Sequence, residues 1–423
     1  MSSMSSIFPL GDRRILWAWV LLCLGSLALL WSVTEPIKGP YEQIDSVVAK
    51  GVFYRQVVWM LISYIALFSA SRVTLRFLEN MAVPLFIISV LLLVYILATG
   101  PRIGGARRWL VLGPLHFQAS ELAKVAFILL MAQILERAKE GGRGFSVTLG
   151  TFLLMLVPLT LVLREPDLGT SLVFLALWVG MIFWFGVPGI LLLGAGSAML
   201  SAVFSFYSES VIHQALPWAV YLLVLVGALF LARMSILSKV VLLLVNLATG
   251  IGIPFFWEKL QRYQQERILT FFDPTRDAFG SGYQAIQSKV AIGSGGLFGS
   301  HYLQGTQKGL AFLPERHTDF IFSVAGEELG LVGVFILLGL YLVVILRGIH
   351  HGTHARRSFA RFLAIGVVTY FSFHVGVNVA ITTGLLPVTG LPLPLISYGG
   401  SNLLISSILV GLLLNVSSRT FDD

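Results

Sequence analysis

Charge is scarce in this chain. Asp, Glu, Lys and Arg make up 12% of its 423 residues, against about 25% in a soluble domain, which excludes an ordinary cytosolic enzyme. Cysteine is scarcer: Cys23 stands alone, so no intrachain disulfide can form and the redox compartment stays unread. No run of Lys and Arg makes a nucleic-acid patch. The net charge of +8 is spread over many short loops, where anionic lipid headgroups or a phosphorylated substrate are the natural partners. There is no Walker sequence and no dinucleotide loop. The Ser-x-x-Lys, Ser-x-Asn and Lys-Thr-Gly set of penicillin-sensitive transpeptidases is missing too, and so is any internal repeat.

What the chain has is apolar length. It is 56% hydrophobic, with a mean hydropathy of +0.85, and stretches of about 20 apolar residues recur, each able to cross a hydrocarbon core. The expectation is an all-α polytopic membrane protein with one transmembrane domain over 1–423. About twelve spans are expected, near 15–33, 52–70, 81–99, 120–136, 146–163, 169–187, 188–207, 216–233, 236–257, 320–346, 362–383 and 400–417. The first, after Asp12-Arg13-Arg14, reads as a retained helix rather than a cleaved signal. Lys and Arg in the short loops are about twice as numerous on the side of the two termini, which puts both termini in the cytoplasm.

Two segments on the opposite side stand out. One is the basic glycine loop from Pro101 to Trp109. The other is the long region 258–319, which opens with a mixed charged and apolar stretch suited to an interfacial helix. A second short helix follows, with Tyr283, Ile286 and Val290 on one face and Lys289 nearby, stopped by Gly293-Ser294-Gly295-Gly296. Non-helical backbone at membrane depth survives only against protein or a water-filled cavity, so this loop is expected to roof a polar crevice.

Within that loop, Leu313 to Phe322 sets Glu315, Arg316, His317, Thr318 and Asp319 directly against the start of a span. Thr318 or Asp319 could simply cap the helix, but a cap needs none of the neighbouring charges. Ionisable groups at such a boundary usually serve chemistry or transport. Glu327 and Glu328 lie two turns deeper, where a cation, water, a proton or a structural pair could face them. In Ser120-Glu121-Leu122-Ala123-Lys124 the acid and base share a helix face, as a local ion pair or as part of the crevice. Asp167 is placed to cap the sixth span. Ser397-Tyr398-Gly399-Gly400-Ser401 could be a tight turn or a sugar- or phosphate-binding one. His350, His351 and His354 read as a solvated loop rather than a metal site. From these residues alone the site takes an amphiphilic anionic substrate, and the reaction stays open.

The motifs resemble the SEDS family of cell-wall proteins. The matching stretches are Gly105-Ala106-Arg107-Arg108-Trp109-Leu110, Ser120 to Lys124, and Glu165-Pro166-Asp167-Leu168-Gly169-Thr170. They continue through Asp273-Pro274, Gly282 to Lys289, Gly305-Thr306-Gln307, Leu313 to Phe322, Gly326-Glu327-Glu328-Leu329-Gly330, and Gly390 to Ser401. Leu391-Pro392-Leu393-Pro394 is more like the elongation-type members than the division-type ones. Ala119 stands where the family usually has proline, a change that a helix's first turn tolerates. The family has ten spans, so 208–257 is read as an added helix pair.

The resemblance implies a peptidoglycan glycosyltransferase that polymerises lipid II on the outer face of the bacterial cytoplasmic membrane during elongation. Asp319 matches the family's essential aspartate. Arg107, Arg108, Trp109, Glu121, Lys124, Asp167, Lys289, Glu315, Arg316, His317, Thr318 and Ser397 are the expected substrate-binding residues. The resemblance also implies a class B penicillin-binding protein as partner, together with elongation machinery. A divalent cation, magnesium or manganese, is a possible cofactor, and no organic cofactor or nucleic acid is expected. The alternatives are a lipid II transporter without polymerase chemistry and a scaffold.

Overall fold

The structure is a computed structural model that describes residues 11–34, 42–102, 107–112, 115–141, 144–186, 189–208, 215–232, 234–260, 262–273, 281–305 and 317–419. The chain is almost wholly helical. In order, the elements are α1 (Arg13–Thr34), α2 (Glu42–Arg72), α3 (Leu75–Thr99), β1 (Trp109–Leu112), β2 (Leu115–Gln118), α4 (Ala119–Gly141), α5 (Gly144–Arg164) and α6 (Leu168–Phe185). Then come α7 (Gly189–Phe206), α8 (Leu216–Leu231), α9 (Ile236–Lys259), α10 (Arg262–Phe272), α11 (Ser281–Ser294), α12 (Ile321–His354), α13 (Ser358–Thr382) and α14 (Gly400–Ser418).

Among the described residues, nine helices are long and apolar enough to cross a membrane: α1, α2 from Gly51, α3, α5, α6, α9, α12, α13 and α14. Each of the twelve expected spans coincides with a helix, and α4, α7 and α8 are the three outside this set. Helix α4 is of comparable length but carries Glu121 and Lys124 in its first turns and Glu136 and Arg137 near its end. Helix α8, at 16 residues, is shorter. Helices α3 and α13 begin earlier than hydropathy indicates, because each opens with a polar or charged turn outside the apolar run.

The chain forms two compact units, Met1–Phe185 with Gln284–Asp423, and Gly186–Tyr283. In the smaller unit, α7, α8 and α9 are held by a polar seam. Asn246 Nδ2 donates to Ser197 Oγ at 2.9 Å, and Tyr221 Oη donates to Asn246 Oδ1 at 2.7 Å. Such interhelical hydrogen bonds give apolar helices a specific register. Helices α8 and α9 occupy the stretch read as an added pair.

The larger unit is built around α13 and α14. Helix α13 packs against α12, α4, α6 and α14, and α14 packs against α2 and α4. Phe359, Phe362, Leu363 and Phe371 fill the core from α13. Small residues allow close approach: a Cβ on Gly411 would collide with Leu67 O of α2. Asn415 Nδ2 then donates to Ala70 O and Val73 O, satisfying carbonyls at the end of α2.

Helix α12 is broken at Gly330, whose φ of 64° and ψ of −169° are open only to glycine. The turn after α11 fills the break. Leu331 N donates to Gly296 O, Val332 N to Leu297 O and Ser300 N to Glu327 O. A Cβ on Gly295 or Gly299 would strike the carbonyls of Gly326 and Glu328. The glycine run that stops α11 is therefore a backbone-to-backbone packing site.

Candidate active site

Asp319 sits in a turn, 317–320, just before α12. The helix takes Phe320 as its N-cap residue, whose own side chain makes no capping bond. Three successive carbonyls of this turn are held from outside. His317 O accepts from Tyr398 N at 2.8 Å, Thr318 O from Ser397 Oγ at 2.7 Å, and Asp319 O from Asn378 Nδ2 at 2.9 Å. The rings of His317 and Tyr398 also stack obliquely, 5.8 Å apart. With its backbone pinned, the half-buried Asp319 carboxylate has a defined position.

The loop joining α13 to α14 forms the wall opposite. Gly390, at φ 77°, faces Asp319: a Cβ there would stand 3.4 Å from Oδ2. Six residues earlier Gly384, at φ 74°, lies under the side chain of Lys289, which a Cβ would strike. Lys289 is exposed, and its neighbour Ser288 anchors α11 by bonding Thr382 O and Ser323 Oγ at 2.6 Å each. The same loop thus meets the Asp319 carboxylate at Gly390 and an exposed lysine at Gly384.

Ser397 is 1% exposed and is consumed by this framework, since its Oγ also accepts from Leu393 N at 2.8 Å. It positions the turn and offers no free hydroxyl to a ligand. Gln56 of α2, fully buried, supports the same loop through Ser397 O and Gly399 N, at 3.4 Å each.

Lys124 is fully buried. Its Nζ donates to Glu121 Oε1 at 2.8 Å and lies 3.4 Å from His374 Nε2. His374 Nδ1 faces Pro392 O at 3.4 Å, an arrangement that suits the Nδ1–H tautomer, with Nε2 accepting from the ammonium. Asn378, one helical turn on, donates to Leu391 O at 2.8 Å as well as to Asp319 O. Glu121, Lys124, His374 and Asn378 therefore form an internal truss behind Asp319, and Lys124 is not open to a ligand.

The basic loop leads into the hairpin β1–β2, paired antiparallel with Trp109 opposite Gln118. Ser401 at the start of α14 stitches the hairpin down, accepting from Gln118 N and donating to His116 O. Arg107 Nη1 donates to Leu97 O and Ala98 O, closing the end of α3. Arg108 Nε donates to Glu165 O at 2.8 Å, Nη2 donates to Pro166 O, and Nη1 lies 3.7 Å from Asp167 Oδ2. Asp167 caps α6 as expected, accepting from Thr170 N at 3.0 Å. Gly169 presses against Thr389 O and Leu391, which joins this corner to the loop facing Asp319. Trp109 is half-buried, its ring 6.4 Å from that of His116.

Glu165, absent from the expected site, is 1% exposed, and among the described residues neither of its carboxylate oxygens has a hydrogen-bond partner. Burial first, and then the Asp167 charge, push its carboxyl up to about 8 against the pull of Arg108. Glu327 and Glu328 are both buried, and Glu328 accepts from Ser32 Oγ at 2.5 Å. Glu315 and Arg316 lie outside the described residues.

His374, Asn378 and Gln56 were not read from sequence. A signal existed for two of them: Tyr370, His374 and Asn378 recur every four residues along one face of an apolar helix.

Fold and site together define a multi-pass helical membrane protein with a carboxylate held at one end of a buried polar truss. The chain belongs to the cell cycle protein family of FtsW, RodA and SpoVE, whose profile matches residues 13–216 and 211–421. It is 35% identical over 411 residues to the peptidoglycan glycosyltransferase MrdB of Escherichia coli, covering 96% of this chain and 94% of that one. A chain solved in work on the structural coordination of polymerization and crosslinking by a peptidoglycan synthase complex is 32% identical. It has a TM-score of 0.65 and covers 98% of this chain and 99% of that one. The crystal structure of Thermus thermophilus rod shape determining protein RodA is 28% identical, with a TM-score of 0.61 and 98% of each chain covered.

Proposed function

We propose that this protein is a peptidoglycan glycosyltransferase that polymerises lipid II, with Asp319 as general base. The observation that carries the reading is the pinned, half-buried Asp319 carboxylate facing the Gly384–Gly390 loop, on which the Lys289 ammonium rests. The similarity to MrdB, named a peptidoglycan glycosyltransferase, supports the reaction class.

Asp319 takes the proton from the acceptor sugar's 4-hydroxyl, and that oxygen attacks the donor's anomeric carbon from the face opposite the diphosphate. Inversion at an α-linked donor gives a β-1,4 bond. The leaving group, undecaprenyl pyrophosphate, is stable as an anion and needs no general acid. It does need positive charge; among the described residues of the expected site Lys289 is exposed and Arg108 keeps 30% of its side chain accessible. Lys124 acts through the truss. Among the described residues no three His, Cys, Asp or Glu side chains converge as a metal site.

The chain works on the outer face of the cytoplasmic membrane, termini inside, in the elongation role. It pairs with a class B penicillin-binding protein that cross-links the product. The loop charges support that orientation, and the structural relative from a synthase complex supports the pairing.

The test uses the full chain reconstituted with fluorescent lipid II, with and without such a partner. Wild type should extend glycan chains on denaturing gels, while Asp319→Asn inserts and folds but yields no polymer. Polymer at near wild-type rates from Asp319→Asn would remove it as base. Translocation without polymer from the wild type would favour a transporter.

A further inference from the structure

The end of the larger unit away from Asp319 carries a second site. A cavity of about 670 Å³ opens between the start of α3, the α12–α13 turn and the end of α14. Four of its lining residues are Arg76, Arg356, Arg357 and Arg419, and none is acidic. Guanidiniums gathered round one hollow repel each other unless an anion is shared, and their planar donors match phosphate oxygens two at a time.

Among the described residues, the internal partners do not meet that demand. Glu79 reaches Arg357 at 3.5 Å, both side chains being partly exposed, a geometry that neutralises little. Arg419 Nη2 spends one donor on Arg72 O at 3.4 Å. One amide at each helix start is already used: Phe77 N bonds Thr74 Oγ1 and Phe359 N bonds Glu136 Oε1. The side chains, not the helix ends, make the site.

Its depth suggests the ligand. Helix α3 begins at Leu75, α13 begins at Ser358 and α14 ends at Ser418, so the mouth lies where apolar helices meet water, at the level of lipid phosphates. Phe77 beside it is 54% exposed, as a lipid-facing ring would be. We propose that this cavity binds a phosphate-bearing anion, either the headgroup of an anionic phospholipid or a soluble phosphate compound.

The experiment compares the full-length protein with an Arg76→Gln/Arg356→Gln/Arg419→Gln variant, which leaves the Arg357–Glu79 pair in place. Native mass spectrometry reads retention of dioleoyl phosphatidylglycerol against dioleoyl phosphatidylcholine. In parallel, melting in phosphatidylcholine nanodiscs is followed with added inorganic pyrophosphate. A lipid ligand gives wild type a preference for phosphatidylglycerol of about tenfold that the variant loses, each shared charge-assisted contact counting for a sizeable factor. A soluble ligand gives a pyrophosphate-dependent rise in melting temperature that the variant lacks. An Arg→Lys triple variant should recover part of either effect. If the glutamine triple variant does not fold, Arg356→Gln and Arg419→Gln alone are read in the same way. Wild type and variants that behave alike in both arms overturn the site.

Discussion

Asn378 holds two main-chain carbonyls with one amide nitrogen, Asp319 O at 2.9 Å and Leu391 O at 2.8 Å. The side chain is fully buried on α13. It ties the turn that carries the carboxylate to the loop that faces it.

Replacing Asn378 with Leu leaves two buried acceptors without that donor, at about 1–3 kcal/mol each. The expected result is a fall of about tenfold or more in kcat for glycan polymerisation, with KM for lipid II changed by less than about threefold. Asn378→Gln, which keeps an amide, should recover part of the loss. A wild-type rate from Asn378→Leu would show that the turn is held without it.

Lys124→Ala strands Glu121 as an unpaired charge in a sealed interior, where breaking one half of a buried pair costs about 3–5 kcal/mol. Its melting temperature in detergent should drop sharply, whereas Glu121→Gln/Lys124→Met should recover most of it. Lys124→Ala melting with wild type would contradict a buried pair.

Glu165 makes an unusual pH prediction. Its carboxyl is raised from 4.5 to about 8 in the folded chain, by burial first and then by Asp167. Between those values the folded protein holds a proton that the unfolded chain releases. Stability is therefore fullest below about pH 4.5 and declines as pH rises towards 8, the reverse of a salt-bridged acid. Melting curves across that window should show a downward contribution that Glu165→Gln removes. Identical slopes for the two proteins would mean that the group does not hold a proton there.

Gly330→Ala forces a side chain into glycine-only backbone and drives its Cβ at Gly299 N. The strain alone is about 1–3 kcal/mol. Faster amide exchange at Leu331 and Val332, whose N–H groups bond Gly296 O and Leu297 O, is the expected readout. Unchanged exchange would argue against the inserted turn.

Much of the architecture could be read along the chain. The apolar runs located the spans, the glycine stop after Lys289 ended α11 at Ser294, and Asp167 was recognised as a helix cap. The hairpin from Trp109 to Gln118 was missed although Gly113-Pro114 separates its two short strands, a turn signal overshadowed by the basic loop before it. The break at Gly330 had no proline to announce it, because it is made by a second backbone segment entering from Gly295 to Ser300.

Apolar length made this a membrane protein whatever its neighbours, since no soluble core could absorb so many such helices. Linear spacing likewise placed Glu121 and Lys124 on one face. Which way that face points was decided by packing: α13 lies against α4 and seals Lys124, while Lys289 stays exposed and Arg108 keeps 30% of its side chain accessible. A charge is a binding group or a strut according to what surrounds it, and surroundings exist only in the folded chain.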